Sequence, residues 1–415
     1  MSGSPVTFTA TGTTGAAATI AANSPTSQSA TAGTAVSAPP SVIVKDANGN
    51  PVAAVTVTFG VAPGNGTITG GSQTTTGDGI ATVGSWTLSG TAGSNTLTAT
   101  SGSLSGSPVT FTATGTAGAP TQLSITTQPS STAQSGEAFT QQPVVQLEDA
   151  NGNAASESGP VVTAVIATGP AGATLANATA TTGGTGAASF SGLAISGPVG
   201  SYTLRFESGT LTAATSETIA LSAASTTTTI TAHTPDPSTV GQAISVNFSV
   251  TSNAGTPTGN VTVTDGTDSC VGTVAAGTCD LTLSTAGART LTATYAGDAN
   301  FAVSTSAGVG HTVNQAATTT TITSVTPEPS TVGQAITVAF SVTSLGGVPT
   351  GSVSVTDGAV GCTAAVTDGS CSFIPLAAGD EVLVATYSGD ANFLTSDSAP
   401  VHHTVNVPPG PTSSR

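Results

Sequence analysis

The chain repeats itself, and the repeat bounds what it can fold into. Within 225–315 and 316–407 the two copies align without a gap at an offset of 92. Thr239-Val-Gly-Gln-Ala-Ile244 returns as Thr331-Val-Gly-Gln-Ala-Ile336, Tyr295-Ala-Gly-Asp-Ala-Asn-Phe301 as Tyr387-Ser-Gly-Asp-Ala-Asn-Phe393, and His311-Thr-Val-Asn314 as His403-Thr-Val-Asn406. The first half repeats more loosely. Asp46-Ala-Asn-Gly-Asn50 recurs as Asp149-Ala-Asn-Gly-Asn153 at an offset of 103, and Ala92-Gly-Ser-Asn-Thr-Leu97 resembles Val199-Gly-Ser-Tyr-Thr-Leu204 at 107, which places a short insertion near Ser156–Pro160. A period of this size marks an array of one small unit. That unit must bury a core within roughly a hundred residues.

Inside each unit the hydrophobic period is two. Val55-Thr-Val-Thr-Phe59, Val246-Asn-Phe-Ser-Val250 and Val261-Thr-Val263 alternate apolar with polar residues, as half-buried strands do. Asn48-Gly49, Asn151-Gly152 and Gly77-Asp78-Gly79 mark tight turns, since Asn and Gly tolerate positive φ. No window carries the spacing of a long amphipathic helix. Only 6% of residues are charged, far below the ordinary value of about 25%. Thr takes the place of charge, combining β propensity with a hydroxyl that water can solvate. Seven or so short strands per unit describe an all-β, two-sheet Greek-key sandwich. The reading is an orphan closing strand over 1–18, four sandwiches over 19–118, 119–224, 225–315 and 316–407, and a Pro/Ser-rich tail over 408–415. The junctions (Gly115–Ala119, Ser222–Ser225, Asn314–Ala317) are short, which favours a stiff array over beads on a string. With strands of about 30 Å, four units in line predict an elongated rod on the order of 150 Å.

The orphan strand rests on an identity. Residues 2–13 repeat residues 105–116 without a change, so Val6, Phe8 and Ala10 carry the alternation of Val109, Phe111 and Ala113. Two readings follow: truncation of a longer array, which is preferred, or a strand donated to a neighbouring subunit. The fourth repeat keeps a closing strand of its own at Val401–Val407.

At these motifs the chain resembles bacterial immunoglobulin-like (Ig-like) domains. Val44-Lys-Asp-Ala-Asn-Gly-Asn-Pro-Val52, Gly77-Asp-Gly-Ile-Ala-Thr-Val83 and Ala92-Gly-Ser-Asn-Thr-Leu-Thr-Ala99 are similar to the invasin/intimin-type group. Repeats three and four are similar to the group marked by Tyr-x-Gly-Asp-x-Asn-Phe. The second repeat departs most, because Glu157-Ser-Gly-Pro160 interrupts its hairpin region. The resemblance covers nearly the whole chain and implies four tandem Ig-like domains. Such modules serve mostly as stalks in adhesins and other large surface proteins, and fold-level likeness implies no more than that.

The formal net charge is −16, and Lys45, Arg205, Arg289 and Arg415 are the only Lys or Arg residues. Nucleic acid, which needs clustered cations, is excluded as an expected partner, as is binding to an anionic membrane surface. The apolar runs are strand-sized, so no membrane insertion is expected in this segment. The residues after Met1 lack the basic and apolar regions of a secretory signal, so export would be encoded outside the segment.

Four cysteines fall as Cys270/Cys279 and Cys362/Cys371, each pair nine apart at equivalent repeat positions. The spacing suits a cross-strand hairpin disulfide and an oxidising compartment; free thiols or a metal site are the alternatives. Asp46, Asn48, Asp298 and Asn300 are weak calcium candidates. Pro51 stands where an EF-hand-type loop needs glycine, and the second cluster lacks the later carboxylate, so turn chemistry is the plainer account and no cofactor is expected beyond occasional Ca2+. His311 and His403 are repeat equivalents with an expected structural role, and with His233 and His402 they make no catalytic set. No nucleophile elbow, Walker loop or zinc-protease motif is present. Thr226–Thr229 and Thr318–Thr321 read as edge strands, with O-glycosylation or an ice-binding face as alternatives. Isolated Trp86 and Tyr202 offer no platform for sugar rings. The expected protein is therefore no enzyme: a structural stalk or filament segment of an extracellular or cell-surface protein. Its expected partners are neighbouring Ig-like domains, identical subunits, or host and surface glycans. The alternatives are a self-assembling fibre subunit, or a carbohydrate-binding array of a secreted enzyme or phage virion.

Overall fold

The computed structural model describes residue 3 and residues 5–410. The described residues are all-β apart from one helical turn at Val366–Asp368. It forms two compact units, one built mainly from repeats one and two, the other from repeats three and four.

In the first repeat, strands Ala17–Ala22, Ser41–Asp46 and Ile80–Thr82 form an antiparallel sheet. The facing sheet runs in the order Ser27–Thr31, Val109–Thr116, Gly93–Thr100, Thr56–Val61 and Ser72–Thr74. Its edge strand lies parallel to the closing strand, Thr112 opposite Ser27; the other ladders are antiparallel. The chain thus crosses between the sheets several times, as from Ala17–Ala22 to Ser27–Thr31 and on to Ser41–Asp46, as in a Greek-key sandwich. Alternation sets the core: Val42, Val44, Val57, Phe59, Leu97 and Phe111 point inward around the fully buried Trp86. Gly79, at φ +69°, turns the chain into strand Ile80–Thr82, and a Cβ there would stand 2.6 Å from the Val44 carbonyl oxygen. Only glycine fits that turn.

The second repeat has the same plan. Gln122–Thr127, Val144–Glu148 and Ala187–Ser189 form its smaller sheet, and Val161–Thr168 pairs with Gly200–Glu207 opposite. The inserted residues form a loop without strand structure over 155–160. Phe190 and Phe206 meet edge to face with ring centroids 5.3 Å apart, within Leu147, Ile195, Tyr202 and Leu204.

Repeats three and four share one strand order. Thr227–Thr234, Ala243–Thr251 and Thr278–Thr282 make the smaller sheet of the third, and Thr319–Thr326, Ile336–Thr343 and Ser370–Phe373 that of the fourth. The Thr-rich strands are sheet edges, yet their hydroxyls do not all face water. Thr228 and Thr320 are buried and share short hydrogen bonds with Ser304 and Ser396, 2.7 and 2.8 Å.

Two expectations need correction. Cys270 is bonded to Cys279 and Cys362 to Cys371, but neither bridge spans a hairpin ladder. Strand Ser269–Thr273 pairs with Asn260–Thr264, whereas Thr278–Thr282 pairs with Ala243–Thr251 in the other sheet. The fourth repeat repeats this, with Gly361–Ala365 in one sheet and Ser370–Phe373 in the other. Each disulfide therefore staples the two sheets together at their edge. Second, residues 5–16 form no strand, and the first strand begins at Ala17. Val6, Phe8 and Ala10 are exposed, Phe8 at 92%, while Phe111 in the identical segment is 0% exposed. The difference is physical: Val109–Thr116 lies between two partner strands, and residues 5–16 have none.

Candidate functional site: the joints between repeats

The motifs that recur most faithfully sit where one repeat meets the next. In the first repeat Asp46 opens the turn after strand Ser41–Asp46. Its Oδ1 accepts the amides of Asn48 and Asn50 at 2.9 and 2.8 Å, and its Oδ2 accepts Asn50 Nδ2 at 3.0 Å. The same Oδ2 accepts the backbone amide of Gly15, in the segment leading into the domain, at 2.9 Å. The second repeat copies this: Asp149 Oδ1 accepts Asn151 and Asn153 amides, both at 2.9 Å, and Oδ2 accepts the Gly118 amide of the incoming linker at 2.9 Å. Donors crowded around an ionised oxygen favour the charged form. The Asn50 side chain, then the Gly15 amide, hold Asp46 at about 2; the Asn153 side chain, then the Gly118 amide, do the same for Asp149.

Asn153 extends the clamp into the preceding repeat. Its Oδ1 accepts the Ala92 amide and its Nδ2 donates to the Gly90 carbonyl, both at 2.8 Å. The turn of the second repeat thus holds both the linker and the end of the first repeat.

Repeats three and four use the Tyr-x-Gly-Asp-x-Asn-Phe motif for the same task. Asp298 Oδ1 accepts the Asn300 and Phe301 amides at 2.8 and 2.9 Å, and Oδ2 accepts the Thr258 hydroxyl at 2.7 Å. This turn presents the Asn300 carbonyl to the Ala224 amide at 2.8 Å. In the fourth repeat the Asn392 carbonyl accepts the Ala316 amide at 2.9 Å, Gln315 Nε2 donates to the Asp390 carbonyl at 2.7 Å, and Asn392 Oδ1 accepts the Ala286 amide of the third repeat at 3.0 Å. The Gly241 and Gly346 backbones also meet closely here: a Cβ on Gly241 would lie 2.6 Å from Gly346 Cα.

The residues singled out as weak calcium candidates are therefore anchors of turns and linkers. Asn48 and Asn300 contribute backbone amides to Asp46 and Asp298. A cation at either carboxylate would displace hydrogen bonds that fix the joint.

The histidines are distributed differently. His311 and His403 are buried, and the Nε2 of each meets a serine hydroxyl, Ser238 or Ser330, at 2.8 Å. Burial pushes His311 below its usual range against the opposing pull of Asp236, with a smaller push from His233. His402 is exposed and lies 2.7 Å from Asp380. Asp236, Ser238, Glu328 and Ser330 were missed in the sequence reading, although Pro235-Asp-Pro-Ser238 and Pro327-Glu-Pro-Ser330 repeat in register with the two buried histidines.

Trp86, Tyr202, Tyr295 and Tyr387 are fully buried, and the Tyr202 hydroxyl donates to the Pro198 carbonyl at 2.7 Å. Among the described Phe, Trp and Tyr residues Phe8 is the one exposed side chain. No helix is long and apolar enough to cross a membrane among the described residues.

Residues 230–314 and 322–406 match the family model of the bacterial Ig-like domain (group 3). Residues 118–224 match that of SMCHD1 Ig-like domain 6, which sets the second repeat apart from the third and fourth. Among curated proteins, none matches the sequence. Similar solved structures include the Escherichia coli adhesin FdeC, 20% identical, covering 73% of this chain and 99% of that one with a TM-score of 0.38. Invasin, described as a bacterial integrin-binding protein, is 14% identical over 94% of this chain and 79% of its own, TM-score 0.26. The D0–D1 domains of intimin are 20% identical over 49% and 98%, TM-score 0.21. The chain is a tandem array of Ig-like sandwiches, and its third and fourth repeats are similar to the bacterial Ig-like domain of group 3.

Proposed function

We propose that this chain is a non-catalytic stalk segment of a bacterial surface or extracellular protein of the adhesin type, holding other parts of an assembly apart. The carrying observation is the use of its most repeated polar motifs. In the joints within each unit, Asp149, Asn153, Asp390 and Asn392 engage linkers and neighbouring repeats. A module selected for ligand binding would direct such groups outward. Buried Trp and Tyr side chains argue against a sugar-stacking array, and two sheet-to-sheet disulfides suit an oxidising exterior. Displaying a heterologous binding tip on cells, with and without this segment between anchor and tip, tests the reading. The segment alone should bind neither host cells nor glycans, and its insertion should improve capture by the tip. Saturable binding by the isolated segment would make it a ligand-binding array instead.

A further inference from the structure

The third repeat carries a side-chain cluster that the stalk reading does not use. His233, near the end of strand Thr227–Thr234, Asp236, in the following Pro-Asp-Pro turn, and His311, on closing strand Val309–Asn314, present one donor atom each, all within 4.8 Å of one another. We propose that these three side chains form a binding site for a divalent transition cation of the zinc class, with a fourth position open to water or to a ligand from outside the repeat.

The spacing is that of a coordination polyhedron. Ligands about 2.0–2.1 Å from a tetrahedral zinc lie roughly 3.3–3.4 Å from one another. His311 Nδ1 is 3.3 Å from His233 Nδ1 and 3.2 Å from Asp236 Oδ1. The two rings stand nearly perpendicular, at 80°, so they meet through their Nδ1 atoms without stacking. Two imidazoles and one carboxylate form a borderline donor set suited to zinc, not to the oxygen-seeking calcium.

The tautomer is prepared as well. His311 Nε2 faces the Ser238 hydroxyl at 2.8 Å, and Ser238 is itself 1% exposed. With the hydrogen on Nε2 donated to that oxygen, the Nδ1 lone pair points at the cluster, as ligating histidines are held elsewhere by a partner on the far ring nitrogen. Arg289 lies opposite His311 across the ladder, but its guanidinium is engaged by Asp265 at 2.6 Å. Exposed Asp236 and half-buried His233 leave a path from solvent.

The fourth repeat is a built-in comparison. Glu328, Ser330 and His403 occupy the equivalent positions, and His403 Nδ1 pairs with Glu328. The equivalent of His233 is Val325, so one imidazole is missing.

Calorimetric titration of the whole chain with zinc chloride at neutral pH tests the proposal. One zinc should bind per chain. His233→Val, which installs the residue the fourth repeat already tolerates, should abolish that binding, while His402→Ala should leave it unchanged. Ser238→Ala should weaken it by about 10–100-fold. The double variant Val325→His, Glu328→Asp should raise the stoichiometry to two. Circular dichroism confirms that each variant is folded. Absence of saturable binding, survival of the site in His233→Val, its loss in His402→Ala, or a stoichiometry of one in the double variant would each overturn the proposal.

Discussion

A carboxylate held at about 2 is a pH-dependent tie. Asp46 and Asp149, and Asp390 with its Thr350 and Asn392 partners, titrate in the folded chain near 2 instead of 3.8. Burial opposes the shift at Asp390, so its hydrogen bonds prevail over desolvation. The folded state therefore binds protons more weakly than the unfolded chain. The stabilisation is fully present above about pH 4 and is lost as pH falls toward 2. Thermal melts should hold steady down to pH 4 and drop below it. Asp149→Asn should flatten part of that drop, since an amide keeps one acceptor and does not titrate; an unaltered acid profile in the variant would remove Asp149 from the account. The sequence showed these residues as turn formers, because Asp-x-Asn-Gly-Asn is a local signal. Their second role was hidden. The amides they capture, Gly15 and Gly118, lie 31 residues away and carry no side chain to betray the contact. His233, Asp236 and His311 were hidden for the same reason, with 75 to 78 residues between the strand or turn and its closing partner.

At the scale of strands, the duplicated segment is the most instructive element. Alternation of Val, Phe and Ala makes both copies strand-competent, and only one is a strand. Pairing decides. Phe111 lies between the ladders to Gly93–Thr100 and Ser27–Thr31 and fills the core; Phe8 is in water. Phe111→Ala should thus lower stability by about 3–5 kcal/mol, and Phe8→Ala should leave it unchanged within about 0.5 kcal/mol, both read from denaturant midpoints. Equal effects would show that residues 2–13 pack somewhere against the fold. The disulfides teach a related lesson. A nine-residue spacing reads as a hairpin, but here the chain crosses to the other sheet between the two cysteine strands, so the bridge ties the layers. Closing so short a loop contributes about 2–3 kcal/mol in the chain-entropy picture. Non-reducing peptide mapping should recover Cys270–Cys279 and Cys362–Cys371, and a bridge between repeats would refute the pairing. Strand placement should also make native trypsin digestion slow. Lys45, Arg205 and Arg289 all lie within strands.

Across the whole molecule, the two units differ in how their repeats are joined. Repeats one and two keep separate apolar cores and meet through hydrogen bonds: Asn153 to Ala92 and Gly90, and Asp149 to the linker. Repeats three and four share one continuous buried cluster, running through Val240, Ala316 and Phe393, with the Gly241 and Gly346 backbones in contact. A polar joint between separate cores lets either repeat open without exposing the other's apolar side chains. A shared core does not, because unfolding one repeat uncovers surface that the other had buried. Hydrogen-exchange mass spectrometry of the whole chain should resolve the two cases. Tyr387→Ala, in the core of the fourth repeat, should lower protection in strands Ala243–Thr251 and Gly287–Tyr295 of the third. Tyr202→Ala, equally buried in the second repeat, should leave strands Ser41–Asp46 and Gly93–Thr100 of the first as protected as before. Gly346→Val adds a sharper probe, since its Cβ would stand 2.6 Å from both the Val240 carbonyl oxygen and the Ala316 Cβ. Wedging that contact should uncouple the third repeat from the fourth without unfolding either. If Tyr387→Ala leaves the third repeat fully protected, the shared cluster is mere adjacency, and stiffness at this joint must rest on the Asn392 and Gln315 hydrogen bonds alone.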